Sequence, residues 1–364
     1  MENKITKIVL TGGPCAGKTT AMARIVEHFS GMGYLVLTVP EAATLFTQSG
    51  INFLTDDKVF FMECEKQLLE FQIEMEGRLS AIAAASHCPV LMICDRGTMD
   101  VSAYMESIVW QQLVESMAIS VVEMRDARYD AVIHMITAAK GAEKYYTLAN
   151  NIARSESPEQ AMEIDDRLMR AWTGHPHLRV VDNSTGFEEK IKRVLSEISH
   201  VLGVPQPIEI ERKYLVDVTG EIPNCNVSEI EQTYLVPVDG KERRIRKRGE
   251  NGNYIYFLTV KTPISDDRRI ETECRIDEKE YLELLCEANK EKVTVVKQRC
   301  CFLWDNRYFE LDSFINPVLE HKMLEIEDVE DHSQIKFPPF LKVIEDVTGN
   351  ENYYNTNIAK RKKN

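Results

Sequence analysis

Five short runs in the first half of the chain are apolar at nearly every position: residues 7–11, 35–39, 90–94, 131–136 and 178–181. Such continuous runs predict strands buried on both faces rather than strands with one wet face. Helix-like segments separate them, at 19–29, 42–48, 58–85 and 188–202. Strand and helix in alternation predict an α/β domain built on a parallel sheet. After Gly203-Val204-Pro205-Gln206-Pro207 the pattern changes. Two prolines stop the helical pattern, and short runs of period-two alternation follow, bounded by Gly, Asn, Asp and Pro, which predict an antiparallel β domain. The expected organisation is therefore an α/β domain over 1–203 and a β-rich α+β domain over 208–360.

Composition narrows the function classes. The 364 residues include 44 Lys or Arg against 58 Asp or Glu, a net charge of −14, with 28% charged residues and 44% hydrophobic ones. This is neither a disordered nor a fibrous composition. Both halves carry more acid than base, which argues against a nucleic-acid partner. No apolar run approaches the ~18 residues of a membrane span, and the N-terminus lacks a signal-peptide layout. Nine scattered cysteines without a CxxC suit a reducing compartment, so the expected location is cytoplasmic.

Gly12-Gly13-Pro14-Cys15-Ala16-Gly17-Lys18-Thr19 fits the phosphate-loop pattern, directly after strand 7–11 and opening helix 19–29. Glycines there let backbone N–H groups curl around phosphates at a helix N-terminus. Gly12 through Thr20 are the expected nucleotide contacts, with Lys18 on the β- and γ-phosphates and the Thr19 hydroxyl on Mg²⁺ or Mn²⁺. Asp95 ends the buried run 90–94 and is the expected second metal-side carboxylate; a helix cap is its structural alternative. Glu41 follows strand 35–39, where it either receives the proton of a hydroxyl nucleophile or caps helix 42–48. Arg154 is placed to close over transferring phosphate charge. His175 and Asp182-Asn183 are candidates for contact with the base, and Arg167 reads as a solvated helix position. Spacing does not choose between ATP and GTP.

These motifs resemble a known domain. The glycine loop, Glu41, Asp95-Arg96-Gly97, Asn151-x-x-Arg154-x-Glu156, Trp172-x-Gly-His-Pro-His177 and Asp182-Asn-x-x-x-Phe187 are together similar to the P-loop domain of NadR-type nicotinamide riboside kinases and TRPL-translocation-defect-type proteins. The resemblance covers about residues 5–200. It implies a kinase-like P-loop NTPase fold with strand order 2-3-1-4-5.

The second half repeats one device. Glu209-x-Glu211-x-Lys213, Arg244-x-Arg246-x-Arg248, Thr259-x-Lys261, Glu271-x-Glu273, Lys297-x-Arg299, Glu310-x-Asp312 and Glu325-x-Glu327 each put polar or charged groups on one face of a strand, with four acidic pairs and two purely basic sets among them. Like charges at neighbouring same-face positions repel unless compensated. A closed barrel supplies compensation if basic strands (Lys213, Arg244, Arg246, Lys261, Lys297, Arg299) face a polyanion and acidic ones (Glu209, Glu211, Glu325, Glu327) hold divalent metal. Lys247, in the basic cluster 241–248, should face outward.

Glu209-Ile-Glu-Arg-Lys213 and the strand pairs above also resemble the CYTH, or triphosphate-tunnel, superfamily over about residues 207–360. That resemblance implies an eight-stranded antiparallel tunnel binding a phosphorylated ligand with metal, and marks Lys213 as a catalytic candidate. The order P-loop then CYTH matches the TRPL-translocation-defect-type arrangement, which implies nucleotide binding and recognition of phosphoinositides or phosphatidic acid. Three functions follow as expectations: a P-loop NTPase or small-molecule kinase joined to a phosphate-ligand tunnel; a nucleotide-switched regulator binding an anionic lipid headgroup at a membrane surface without turnover; or a tunnel triphosphatase acting on polyphosphate with a regulatory P-loop domain.

Overall fold

A computed structural model describes residues 5–145, 157–204, 211–265, 268–305, 307–327 and 335–360; side chains at 145, 262–271 and 327 are not described. Arg154 and Glu209 lie outside the described residues, as does the side chain of Glu327. The chain divides into two compact units, Met1–Pro205 and Gln206–Asn364.

The first unit runs β1 (Ile5–Thr11), α1 (Lys18–Gly31), β2 (Leu35–Val39), α2 (Ala42–Gln48), α3 (Lys58–Ala84), β3 (Val90–Asp95), α4 (Ser107–Met117), β4 (Ala131–Met135), α5 (Pro158–Trp172), β5 (Leu178–Val181) and α6 (Phe187–Leu202). Its strands form one parallel sheet in the order β2-β3-β1-β4-β5, the kinase-like order the resemblance implied. β3 and β4 are buried at nearly every position, as their unbroken apolar runs predict. Ile8 and Leu10 of β1 point to a core shared with Ala21, Ile25 and Phe29 of α1 and Ile191, Val194 and Ile198 of α6. Local signals set the helix ends. The Asp57 carboxylate accepts the N–H groups of Val59 and Phe60 at the start of α3, and α5 opens on Ser157, Pro158 and Gln160 in a capping box.

The second unit runs β6 (Glu211–Val218), β7 (Asn226–Tyr234), β8 (Glu242–Glu250), β9 (Asn253–Ser265), β10 (Arg268–Ile276), α7 (Glu278–Leu285), β11 (Val295–Trp304), β12 (Arg307–Asn316), β13 (Lys322–Glu327), β14 (Leu341–Asp346) and α8 (Asn355–Ile358). All nine strands join one antiparallel sheet, ordered β10-β9-β8-β7-β11-β12-β13-β6-β14. The resemblance implied eight. The ninth arises because the chain comes back after β13 and lays β14 against β6.

The register sorts the residues by face. Cross-strand partners share a face, so the ladders Lys213–Glu325, Glu325–Glu310, Arg299–Asp312, Lys297–Ile230, Ile230–Arg248, Arg244–Thr259 and Glu242–Lys261 place the charged positions together. The opposite face carries Tyr214, Val216, Phe302, Phe309, Leu311, Leu324 and Ile326, packed under Ile335, Phe340 and Leu341. Lys247 also lies on that opposite face, against Glu231 and the Tyr254 ring. One cysteine pair departs from the expected set of reduced thiols: Cys225, just before β7, and Cys300 of β11 form a disulfide with their Cα atoms 5.7 Å apart.

Candidate functional site

The glycine loop occupies the turn from β1 into α1, and its neighbours leave no room for side chains. A Cβ on Gly12 would sit 2.1 Å from the Met135 carbonyl oxygen, one on Gly13 2.8 Å from the Asp165 Cβ, and one on Gly17 2.6 Å from the Phe187 ring. Gly12 and Gly17 also have φ of 146° and 94°, which L side chains rarely adopt. Cys15 stands at φ 59° within the loop. α1 begins at Lys18, so the free N–H groups of its first turn, including those of Thr19 and Thr20, point back at the loop.

Lys18, Asp95, Glu41 and Arg96 gather at the carboxyl edge of β1, β2 and β3. Lys18 Nζ lies 4.0 Å from Asp95 Oδ1, and that oxygen is buried and accepts no hydrogen bond. Burial raises the Asp95 carboxyl above its ordinary value against the pull of Lys18. Burial, then the nearby Arg96 charge, lowers the Lys18 ammonium. The helix-cap alternative for Asp95 does not apply, because Asp100 instead accepts the Gly97 N–H, at 2.7 Å.

Glu41 occupies the N-cap position of α2, but its side chain makes no capping bond. Its Oε1 accepts from Arg96 Nε at 2.5 Å and its Oε2 from the Thr44 hydroxyl at 2.7 Å. Burial would raise this carboxyl; Arg96 and Lys18 outweigh it and hold it down to about 2. Arg96 has a left-handed φ of 70°. That turn carries its guanidinium back over the sheet edge to Glu41 and Asp100. The motif Asp95-Arg96-Gly97 marks Arg96, but nothing in the sequence assigns it this partner.

A second constellation lies behind the loop. Asp165 Oδ1 accepts the Gly13 N–H at 2.9 Å and the Thr137 N–H at 3.2 Å and meets His134 Nε2 at 3.0 Å, while Oδ2 accepts from Lys140 at 2.9 Å. Burial opposes its ionisation; His134 and Lys140 overcome that and hold it well below the usual carboxylate range. Lys190 donates to the carbonyls of Ala16 and Ile136 and to Asn183 Oδ1, and burial lowers its ammonium to about 8. Asn183 gives both amide protons, to the carbonyls of Thr137 and Lys140. His175 is fully buried beside Trp172, with Nε2 at the Tyr129 carbonyl. Of the candidates for base contact, His175 is thus enclosed in the core, Asn183 is held by the two carbonyls, and Asp182 accepts from Ser184 and Arg193 at a partly exposed position. Arg167 pairs with Glu163 one turn earlier on an exposed face.

In the second unit the opposite charges of neighbouring strands compensate each other directly. Lys213 bridges Glu211 at 2.9 Å and Glu325 at 2.8 Å. Arg299 is ion-paired with Glu310, Asp312 and Glu325, and Lys297 with Asp312. Burial disfavours the charge on Glu325, but Lys213, Lys297 and Arg299 hold the carboxyl far below its ordinary value. Arg246 reaches Glu273 at 2.8 Å; Arg244 and Lys261 share its face by register. Among the described residues no group of three or more His, Cys, Asp or Glu side chains is arranged to hold a metal ion.

The sequence profile of the AAA domain family matches residues 7–190. Among solved structures, the chain is similar to the hypothetical protein NE1496 at 32% identity, over 42% of this chain and 97% of that one, with a TM-score of 0.32. It is similar to the inorganic triphosphatase NE1496 at 30% identity, over 42% and 95%, TM-score 0.32. A third is the PH1819 protein from Pyrococcus horikoshii OT3, at 27% identity over 35% and 81%, TM-score 0.26. No curated protein is matched.

Proposed function

Because its match over residues 7–190 makes the chain a member of the AAA domain family, we propose that the first unit binds ATP or GTP and transfers the terminal phosphoryl group to a small hydroxylated acceptor. The observation that carries this reading is the cluster of Lys18, Asp95, Glu41 and Arg96 on adjacent strand ends. Fixed positive groups aimed at a transferring phosphoryl stabilise its developing charge, and Lys18 and Arg96 supply two. Glu41, held ionised, accepts the hydrogen bond of the attacking hydroxyl and takes its proton as the new O–P bond forms and the bridge to the nucleoside diphosphate breaks.

Thr19 and Asp95 fit a divalent ion, Mg²⁺ or Mn²⁺: Thr19 is exposed at the loop, and the Asp95 oxygen that accepts no hydrogen bond is a hard ligand. Such an ion would neutralise phosphate charge there.

For the second unit we infer a site for a phosphorylated small molecule, polyphosphate or anionic headgroup on the charged face of the sheet. Support comes from Arg244, Arg246 and Lys261 sharing that face with Lys213, Lys297 and Arg299. Glu211 and Glu325 are its metal-side carboxylates in this reading, released from Lys213 when an anion engages the lysine.

Phosphorus NMR of the protein with Mg²⁺ and ATP, GTP or tripolyphosphate, repeated with Lys18→Ala and Lys213→Ala, tests both sites. Turnover lost only in Lys18→Ala supports phosphoryl transfer in the first unit. Loss only in Lys213→Ala moves the chemistry to the second. Turnover unchanged in both variants overturns the enzymatic reading and favours a nucleotide-switched binder of anionic headgroups.

A further inference from the structure

Asp100 is buried in the short 3₁₀ turn that follows β3, and four donors converge on its carboxylate. Its Oδ1 accepts from the Thr11 hydroxyl and, at 3.4 Å, from Arg96 Nη1. Its Oδ2 accepts the Gly97 N–H at 2.7 Å and the Trp172 indole N–H at 3.2 Å. Two carboxylate oxygens offer about four acceptor directions, so the group is fully used.

These donors come from separate parts of the fold. Thr11 ends β1, immediately before Gly12 of the glycine loop. Arg96 and Gly97 form the turn after β3, and Trp172 ends α5. The fully buried Trp172 lies directly over that turn: a Cβ on Gly97 would come within 2.8 Å of the indole and 2.8 Å of the Val9 side chain. The glycine of Asp95-Arg96-Gly97 thus makes room for the tryptophan, which brings its N–H to Asp100.

Arg96 is held along its whole length. Its backbone N–H donates to the Leu10 carbonyl, and its own carbonyl accepts from Gln72. Its guanidinium gives Nε to Glu41 and Nη1 to Asp100, leaving Nη2 without a hydrogen bond among the described residues. A guanidinium presents its donors in a rigid planar fork, so two anchors fix both its plane and its direction. Bonds to an ionised acceptor are stronger than neutral ones, and burial strengthens them further. Resting on the phosphotransfer reading above, we propose that Asp100 is a positioning residue: it locks the Arg96 guanidinium to the entrance of the glycine loop, so that Nη2 meets the terminal phosphoryl group that the loop holds. Asp100 itself touches no reactant. It acts through Arg96, and Trp172 holds Asp100 in turn.

The test is a double-mutant cycle. Turnover of ATP and GTP with Mg²⁺ is followed by phosphorus NMR in wild type, Asp100→Asn, Arg96→Ala and the two combined, and Trp172→Phe is added to both the wild-type and Arg96→Ala backgrounds. Binding of fluorescent ATP and GTP analogues and melting temperatures are measured alongside. Asp100→Asn is expected to lower kcat about tenfold or more, to leave analogue binding within about threefold, and to cost less than about twofold in kcat once Arg96 is gone. Trp172→Phe keeps an aromatic ring and removes the N–H, so it should lower kcat by a smaller factor, again only where Arg96 is present. Equal losses in both backgrounds, analogue binding that falls as far as kcat, or an unchanged kcat in Asp100→Asn would each make Asp100 a scaffold residue and overturn the proposal. If Asp100→Asn melts below the assay temperature, Trp172→Phe decides by the same comparison. No turnover by wild type would overturn the phosphotransfer reading, and this proposal with it.

Discussion

Arg96 donates from Nε to Oε1 of Glu41 at 2.5 Å, tying the ends of two neighbouring strands together at the edge where Lys18 stands. The pair leaves Glu41 a charged acceptor and Arg96 a cation that stays put. Arg96→Ala removes one fixed positive group from the transferring phosphoryl, so kcat should fall about 100-fold or more while analogue binding persists. Arg96→Lys should restore little, because an ammonium cannot reproduce the guanidinium geometry. Initial rates of phosphate transfer check both; a rate unchanged in Arg96→Ala would separate the pair from the chemistry.

Two buried carboxylates should give stability–pH profiles of opposite sign. The Glu41 carboxyl is held down to about 2 from an ordinary 4.5. Its contribution is present above pH 4.5 and is lost as pH falls through 2, up to about 3 kcal/mol. Glu65 is raised to about 7. Its penalty is absent below pH 4.5 and grows to about 3 kcal/mol as pH rises through 7. Urea unfolding from pH 3 to pH 8 should show Glu41→Gln closing on wild type at low pH and Glu65→Gln gaining on it at high pH.

Asp165 serves the loop from behind. Asp165→Ala would leave the Gly13 and Thr137 N–H groups, His134 and Lys140 without their shared acceptor. Removing one member of a buried charged network costs about 3–5 kcal/mol. Urea denaturation should report a loss of that size, and nucleotide affinity should fall with it. Asp165→Asn keeps an acceptor oxygen and should recover part of both.

Arg299 neutralises three carboxylates at once. Arg299→Ala would leave Glu310, Asp312 and Glu325 facing each other in a buried setting. We expect a loss of about 3–5 kcal/mol in metal-free buffer, and partial recovery on adding Mn²⁺, since oxygen-rich anionic clusters bind hard cations. Melting temperatures with and without Mn²⁺ measure this; a variant indifferent to the metal would contradict it.

Features carried by local pattern were legible in the sequence. The glycine loop, the five parallel strands and the charged face of the second unit all follow from spacing and period, which act over a few residues. What escaped depends on distant contacts or on backbone sign. Asp165 meets Gly13 across 152 positions, and no local pattern distinguishes it from an ordinary helix carboxylate. Arg96 reaches Glu41 only because its backbone turns left-handed. His175 looked available for a base, yet Trp172 and the Tyr129 carbonyl enclose it. Paired like charges showed in the sequence, but which acid strand lies beside which base strand did not, because the hairpin register that sets Arg299 against Asp312 joins residues from separate strands.

The walls around the glycine loop change how nucleotide binding should be viewed. Met135, Asp165 and Phe187 stand where any Cβ would go, and Asp165 and Lys190 hold Gly13 and Ala16 by hydrogen bonds. The loop is therefore a rigid mould cast by its own domain, not a strap that tightens on its guest. A phosphate entering it gives up little chain entropy beyond its own. The calorimetric signature of loading should accordingly lack the large unfavourable entropy of a loop that orders on binding.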